Sequence, residues 1–153
     1  MARSRNIKPG IMANEDLAEL GAIERLLFIY LWMLADKEGR LEDRPKRIKV
    51  EALPYDDVDA DDALWKIARA GFIRRYQVGE QRIIQIVNFS KHQAPHVREK
   101  ASELPEQNNE CSEIEPSHEK EVAEHNLGSA KASPRSPDSL IPDSLIPDSL
   151  QPP

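Results

Sequence analysis

The chain has 153 residues, of which 21 are Lys or Arg and 27 are Asp or Glu, giving a formal net charge of −6 with a single cysteine. That length suits one ordinary domain or a smaller domain with a tail. One cysteine excludes an internal disulfide and a cysteine-based zinc site, and the longest apolar run, residues 26–35, has half of the roughly twenty residues a membrane span needs.

The charge is unevenly placed. Through Lys100 there are 18 Lys and Arg against 16 Asp and Glu, a net of +2; beyond it there are 3 against 11, a net of −8. Every Phe, Tyr and Trp precedes residue 90, so the core is expected in the first hundred residues. After Ala101, Glu, Ser, Asn and Pro dominate, a mixture that buries too little apolar surface to offset chain entropy. The pattern predicts a folded domain over residues 1–100 and a disordered acidic tail over 101–153, and implies that removing residues 104–153 leaves thermal stability nearly unchanged. The first residues, Met-Ala-Arg-Ser-Arg-Asn-Ile-Lys, lead into no signal-peptide pattern, and a reducing cytoplasm suits the lone cysteine.

In chain order, Asn14 followed by Glu-Asp-Leu predicts a capped short helix ending near Gly21. "AIERLLFIYLWMLADKEG" predicts a longer helix stopped by Gly39. Its stripe of Ile23, Leu26, Leu27, Tyr30, Leu31 and Leu34 is flanked by Phe28, Ile29, Trp32 and Met33, which sets it at the centre of its domain. "RLEDRPKRIKVEALP" opens with a few strand-like residues, then offers Pro45 at a helix start and Pro54 at its end. "DDVDADDALWKIARAG" is the clearest helix, with acids at its N-terminus, Lys66 and Arg69 near its C-terminus and Gly71 at its stop. "FIRRYQV" and "QRIIQIV" flank Gly79-Glu80, the link of a type II′ hairpin. In that register Ile73, Arg75 and Gln77 share a face with Ile86, Ile84 and Arg82, while Phe72, Arg74, Tyr76 and Val78 lie opposite; both faces are partly apolar, so the pattern does not choose the core face. The expected class is α+β, mainly helical: a winged helix-turn-helix with a C-terminal β-hairpin wing, followed by the disordered tail.

Four blocks, "NEDLAEL", "GRLEDRPKRIKVEALPYDDVD", "ARAGFIRRY" and "VNFSKHQAPH", resemble the N-terminal winged-helix region of phage-encoded replication initiation proteins, also called replisome organisers. The resemblance spans roughly residues 1–100. It implies a sequence-specific domain for double-stranded origin DNA, joined by a linker to a segment that contacts the replicative helicase or its loader, in the cytoplasm of a bacterial host. A second folded domain after the linker, which the family pattern would supply, has no counterpart in the sequence.

The candidate DNA contacts fall in clusters. Arg44, Lys46, Arg47 and Lys49 form the densest basic run; Arg74, Arg75 and Arg82 lie on the hairpin; Lys91, His92 and Arg98 follow it; Lys66 and Arg69 end the helix that begins near Asp59, the third of the winged-helix unit; Arg3, Arg5 and Lys8 make an N-terminal arm of the kind that enters a minor groove. Asp56, Asp57, Asp59, Asp61 and Asp62 crowd the third helix at the end where base-reading residues approach DNA, so that end is expected to face away from phosphate. Trp65 reads as a rim residue. "KHQAPH" carries no metal site, because Pro95 interrupts any helix that would bring His92 and His96 to one face. No cofactor is implied: there is no phosphate-binding glycine loop and no nucleophile with its base, so no catalysis is expected. Two alternatives stay open: a winged-helix transcriptional regulator, and a protein-interaction module that uses the acidic third helix without touching DNA.

The sequence ends in tandem copies of Pro-Asp-Ser-Leu-Ile. Pro at every fifth residue forbids a helix. The repeat is compatible with a multivalent docking motif, with slippage in a tail, or with direct repeats in the gene that themselves form an origin.

Overall fold

The computed structural model describes residues 2–116. The Pro-Asp-Ser-Leu-Ile repeats lie outside them. The fold is α+β, with five α-helices and a four-stranded antiparallel sheet among the described residues, and none of these helices is long and apolar enough to cross a membrane.

A 3-10 turn, Pro9–Ala13, leads into α1, Glu15–Ala18, where the Asn14 side chain caps by accepting the Leu17 N–H at 2.9 Å. Helix α2 runs Ala22–Leu34, five residues short of the expected stop at Gly39. The cause is Asp36, whose carboxylate accepts the backbone N–H groups of Glu38 and Arg40 and turns the chain instead of extending the helix. Strand β1, Arg40–Glu42, follows, then α3, Pro45–Ala52, and α4, Ala60–Arg69, which Asp59 caps through the N–H groups of Asp61 and Asp62. Helices α2, α3 and α4 pack on one another, and Leu27, Leu31, Ile48, Leu53, Leu64 and Ile67 interlock between them.

Strands β2, Ile73–Val78, and β3, Gln81–Ile86, form the expected hairpin. Their register pairs Ile73 with Ile86, Arg75 with Ile84 and Gln77 with Arg82. Gly79 takes φ 58° whereas Glu80 does not leave the negative region, as a II′ turn requires. The hairpin is followed by a short α5, Phe89–His92, and a two-residue β4, Ser112–Glu113. The strand order is β1-β3-β2-β4.

Both faces of the hairpin are covered, which is why its pattern carried no single apolar face. Ile73, Ile84 and Ile86 belong to the helical core. Tyr76 and Ile83, paired on the opposite face, are also fully buried. Residues beyond 100 bond to this side of the sheet. The Tyr76 hydroxyl donates to the Pro105 carbonyl at 2.8 Å, the Arg40 guanidinium donates to the Leu104 carbonyl at 3.0 Å and pairs with Glu106, and β4 adds to the edge of β2. Burial raises the Tyr76 phenol pKa above its ordinary value, only partly offset by the charge of Arg40.

The expected boundary at residue 100 therefore falls short, because residues 102–116 dock on the sheet. Composition misleads here: a segment poor in apolar residues is held by hydrogen bonds and ion pairs to groups that need partners, with the Leu104 and Pro105 carbonyls as acceptors.

Candidate nucleic-acid interface

The basic residues singled out in the sequence divide into those committed to the fold and those left on the surface. The N-terminal arm is committed. The Arg3 guanidinium donates to the Ala35 carbonyl at 2.9 Å, and Arg5 donates to the carbonyls of Trp32 and Ala35 at 3.1 and 3.2 Å. Arg5 also holds Glu99 through both carboxylate oxygens, at 2.6 and 2.9 Å, with only 4% of its side chain exposed. Asn6 and Gln93 exchange hydrogen bonds, and Lys8 donates to the Lys91 carbonyl. These contacts correct the expectation of a free arm for the minor groove. The last carbonyls of α2 lack intrahelical partners, and the two arginines supply them.

The hydrogen bonds from Arg5, against the opposing effect of burial, hold the Glu99 carboxyl below its ordinary value of 4.5. A carboxylate whose pKa is depressed in the folded state adds stability above its unfolded pKa and loses it as pH falls through the folded value. Acidification from pH 5 to pH 3 is thus expected to release the arm, and Glu99→Gln to remove that pH dependence while loosening the arm at pH 7. The backbone amide of Arg3, which donates to the Met33 carbonyl, is the reporter in hydrogen exchange.

Arg75 is likewise structural. Its side chain and that of Asp43 are fully buried, with Arg75 Nε and Nη2 donating to the two Asp43 oxygens at 2.8 and 2.9 Å. Nη2 also donates to Asp61 at 2.6 Å, and the guanidinium lies 4.4 Å from the centre of the Trp65 ring. Burial opposes the charge, but the hydrogen bonds and charge of Asp43, then those of Asp61, outweigh it and raise the Arg75 pKa. Arg75 cannot reach nucleic acid. It ties β2, the start of α3 and the start of α4 into one unit, and Trp65 is the lid of that arrangement rather than a bare rim residue. Lys66 also has protein partners, Glu24 at 3.1 Å and Asp62 at 2.8 Å.

The surface-facing set is brought together elsewhere. Arg44, Lys46, Arg47, Lys49 and Arg82 line one open groove of about 740 Å³ between α3 and the start of α4, with Asp59, Asp61, Trp65 and Glu115 on its other sides. The helical run thus meets Arg82 of the hairpin, which tertiary structure alone could bring about. Helix α3 begins at the groove with Pro45 as its first residue, no side-chain cap and no acid in its first turn. Its first N–H groups therefore face outward without intrahelical partners, and the positive end of the helix dipole adds to the lysine and arginine charges. Arg44 pairs with Glu42 at 3.4 Å and Arg47 with Glu51 at 2.7 Å, all at exposed sites that solvent screens. Lys49 donates to the Leu53 carbonyl. Lys46 is exposed and has no ion-pair partner among the described residues.

Lys66, Arg69, Arg74, Lys91, His92 and Arg98 do not line this groove. Arg74 points away from the helical core, on the face that carries Tyr76. The acidic start of α4 stands beside the basic run, with Asp59 and Asp61 in the same groove. Their charges are spent locally, Asp59 on the first turn of α4 and Asp61 on Arg75.

Two surface features escaped the sequence reading. Tyr55, in the connection between α3 and α4, is 99% exposed, and no periodicity marks a residue in an irregular link. Glu115 falls in the segment whose composition reads as tail, yet it lines the groove. Among the described residues no group of three or more His, Cys, Asp or Glu is arranged to hold a metal. No family model, no curated protein and no solved structure matches the chain.

Proposed function

We propose that the domain is a winged helix-turn-helix that binds double-stranded DNA through the groove between α3 and α4, with the β2–β3 hairpin as its wing. The order of α2, β1, α3, α4, β2 and β3 supports the fold reading. The observation that carries the binding reading is the convergence of Arg44, Lys46, Arg47, Lys49 and Arg82, from two separate elements, along one open groove. Five cations along one groove, together with the uncapped start of a helix, supply the positive field that a phosphate backbone attracts. Most such contacts position the duplex rather than read it. Sequence selection would then fall to the exposed side of α4 and to Tyr55.

The biological role, phage or prophage replication initiation with origin repeats as target and the host helicase or its loader as partner, rests on the resemblance described above. It places the protein in the bacterial cytoplasm. The interaction-module alternative is less well supported, because on α4 Asp59 caps the first turn, Asp61 pairs with Arg75 and Asp62 with Lys66.

Replacing Lys46, Arg47 and Arg82 with Ala is expected to weaken duplex binding and to lower the slope of log affinity against log salt by roughly one unit per lost phosphate contact, about three in all. A folded triple variant that keeps the wild-type slope would remove the groove as the interface. Arg98→Ala, outside the groove, should leave the slope unchanged.

A further inference from the structure

Residues 102–116 are attached to the domain in two different ways. Residues 102–106 are anchored by buried or half-buried partners: Ser102 bonds Asp36, Glu106 and the Leu104 carbonyl hold Arg40, and the Pro105 carbonyl accepts from Tyr76. Residues 112–114 are held by a two-residue strand and by one backbone bond from the Ile114 N–H to the Arg75 carbonyl at 3.3 Å. The side chains of Ser112 and Glu113 are exposed, so they add little burial to that hold. A ladder this short, without buried side chains, opens at low free energy while the anchor remains closed.

This weakly held end delivers Glu115 to the basic groove, facing Arg44, Lys46, Arg47, Lys49 and Arg82. Glu115 forms no ion pair within 4.0 Å among the described residues, so its charge is not neutralised by any one of them. A carboxylate held there by β4 sits in the field that a phosphate would occupy and repels an incoming one. Glu110 and Glu113 on the same stretch add charge of the same sign.

We infer that residues 110–116 form a self-inhibitory strap: β4 holds Glu115 in the groove, and nucleic acid binds fully only when that end lifts away. This rests on the reading of the groove as a nucleic-acid interface. Residues 107–109, Gln-Asn-Asn, which lie between the anchor and the strap, carry no apolar side chain, and Asn108 bonds Glu110 and Cys111 in a local turn that moves with the strap. The strap also occupies the edge of β2, so lifting it frees the backbone groups of that strand.

The test uses the full chain with two substitutions. Ile114→Pro removes the N–H that bonds Arg75 and breaks β4 without altering a groove residue; Glu115→Gln removes the charge and keeps the shape. Each is titrated with a short DNA duplex at two salt concentrations beside the wild type. The strap predicts tighter binding by both, on the order of three- to tenfold for Ile114→Pro and roughly two- to threefold for Glu115→Gln, with both differences shrinking as salt rises. Equal or weaker binding by both variants overturns it. If none of the three proteins binds DNA at low salt, the nucleic-acid reading fails, and hydrogen exchange at the Ile114 amide decides the strap independently. A strap drawn in by groove charge exchanges faster in high salt, and faster in Glu115→Gln at low salt. Protection that responds to neither overturns it.

Discussion

Asp43→Ala is expected to destabilise the domain by about 3–5 kcal/mol, the largest effect of any single substitution considered for this protein. Asp43 and Arg75 are both fully buried, and Arg75 Nη1 already has no hydrogen-bond partner among the described residues. Removing the carboxylate leaves a guanidinium that can be neither deprotonated nor hydrated, with the partly exposed Asp61 as its remaining acid partner. Three elements meet at this point, so the damage reaches the starts of α3 and α4 and therefore the groove. Asp61→Ala should cost much less, because Asp61 keeps contact with solvent and Asp43 still pairs the arginine. The double change Asp43→Leu with Arg75→Met should recover most of the loss, since an apolar pair of similar volume avoids burying charge. Chemical denaturation of the three variants separates these outcomes: a cost below about 1 kcal/mol for Asp43→Ala would mean that the pair does not hold the three elements together.

The second large effect concerns the segment that composition assigned to a tail. A chain ended after Glu103 is expected to lose on the order of 3 kcal/mol, or roughly 10 °C in melting temperature for a domain of this size. Tyr76 and Ile83 are fully buried with the segment in place. Without it, the Tyr76 hydroxyl loses the Pro105 carbonyl, and Arg40 loses both the Leu104 carbonyl and Glu106. Water restores part of the hydrogen bonding, which keeps the estimate below the sum of the separate terms. A chain ended after Pro116 keeps every one of these contacts and serves as the control. Equal melting temperatures for the two truncations would mean that residues 104–116 contribute nothing to the fold, as their composition alone suggests.

Arg75 touches both the groove and the proposed strap: its guanidinium donates to Asp43 and Asp61, and its carbonyl accepts from the Ile114 N–H. For this reason the substitutions that test binding avoid Arg75 itself, whose loss would disturb the groove and the hold on Ile114 together.

What the sequence determined by itself is local. Asn14 and Asp59 cap helices because their short side chains reach N–H groups two or three residues on. Pro45 opens α3, and Gly79-Glu80 closes a hairpin whose register follows from a two-residue link. The basic character of residues 44–49 is equally plain from the chain. Tertiary structure alone decided which arginines are free. Arg5 meets Glu99 across 94 positions and Arg75 meets Asp43 across 32, and no periodic pattern encodes a pairing between side chains so far apart. The core face of the hairpin was undecidable from alternation because both faces are buried, one by helices and one on the side to which residues 102–116 bond. That segment, with few apolar residues, reads as tail, since burial there is driven by polar groups of β1 and β2 that need partners, and that need exists only once the sheet has formed.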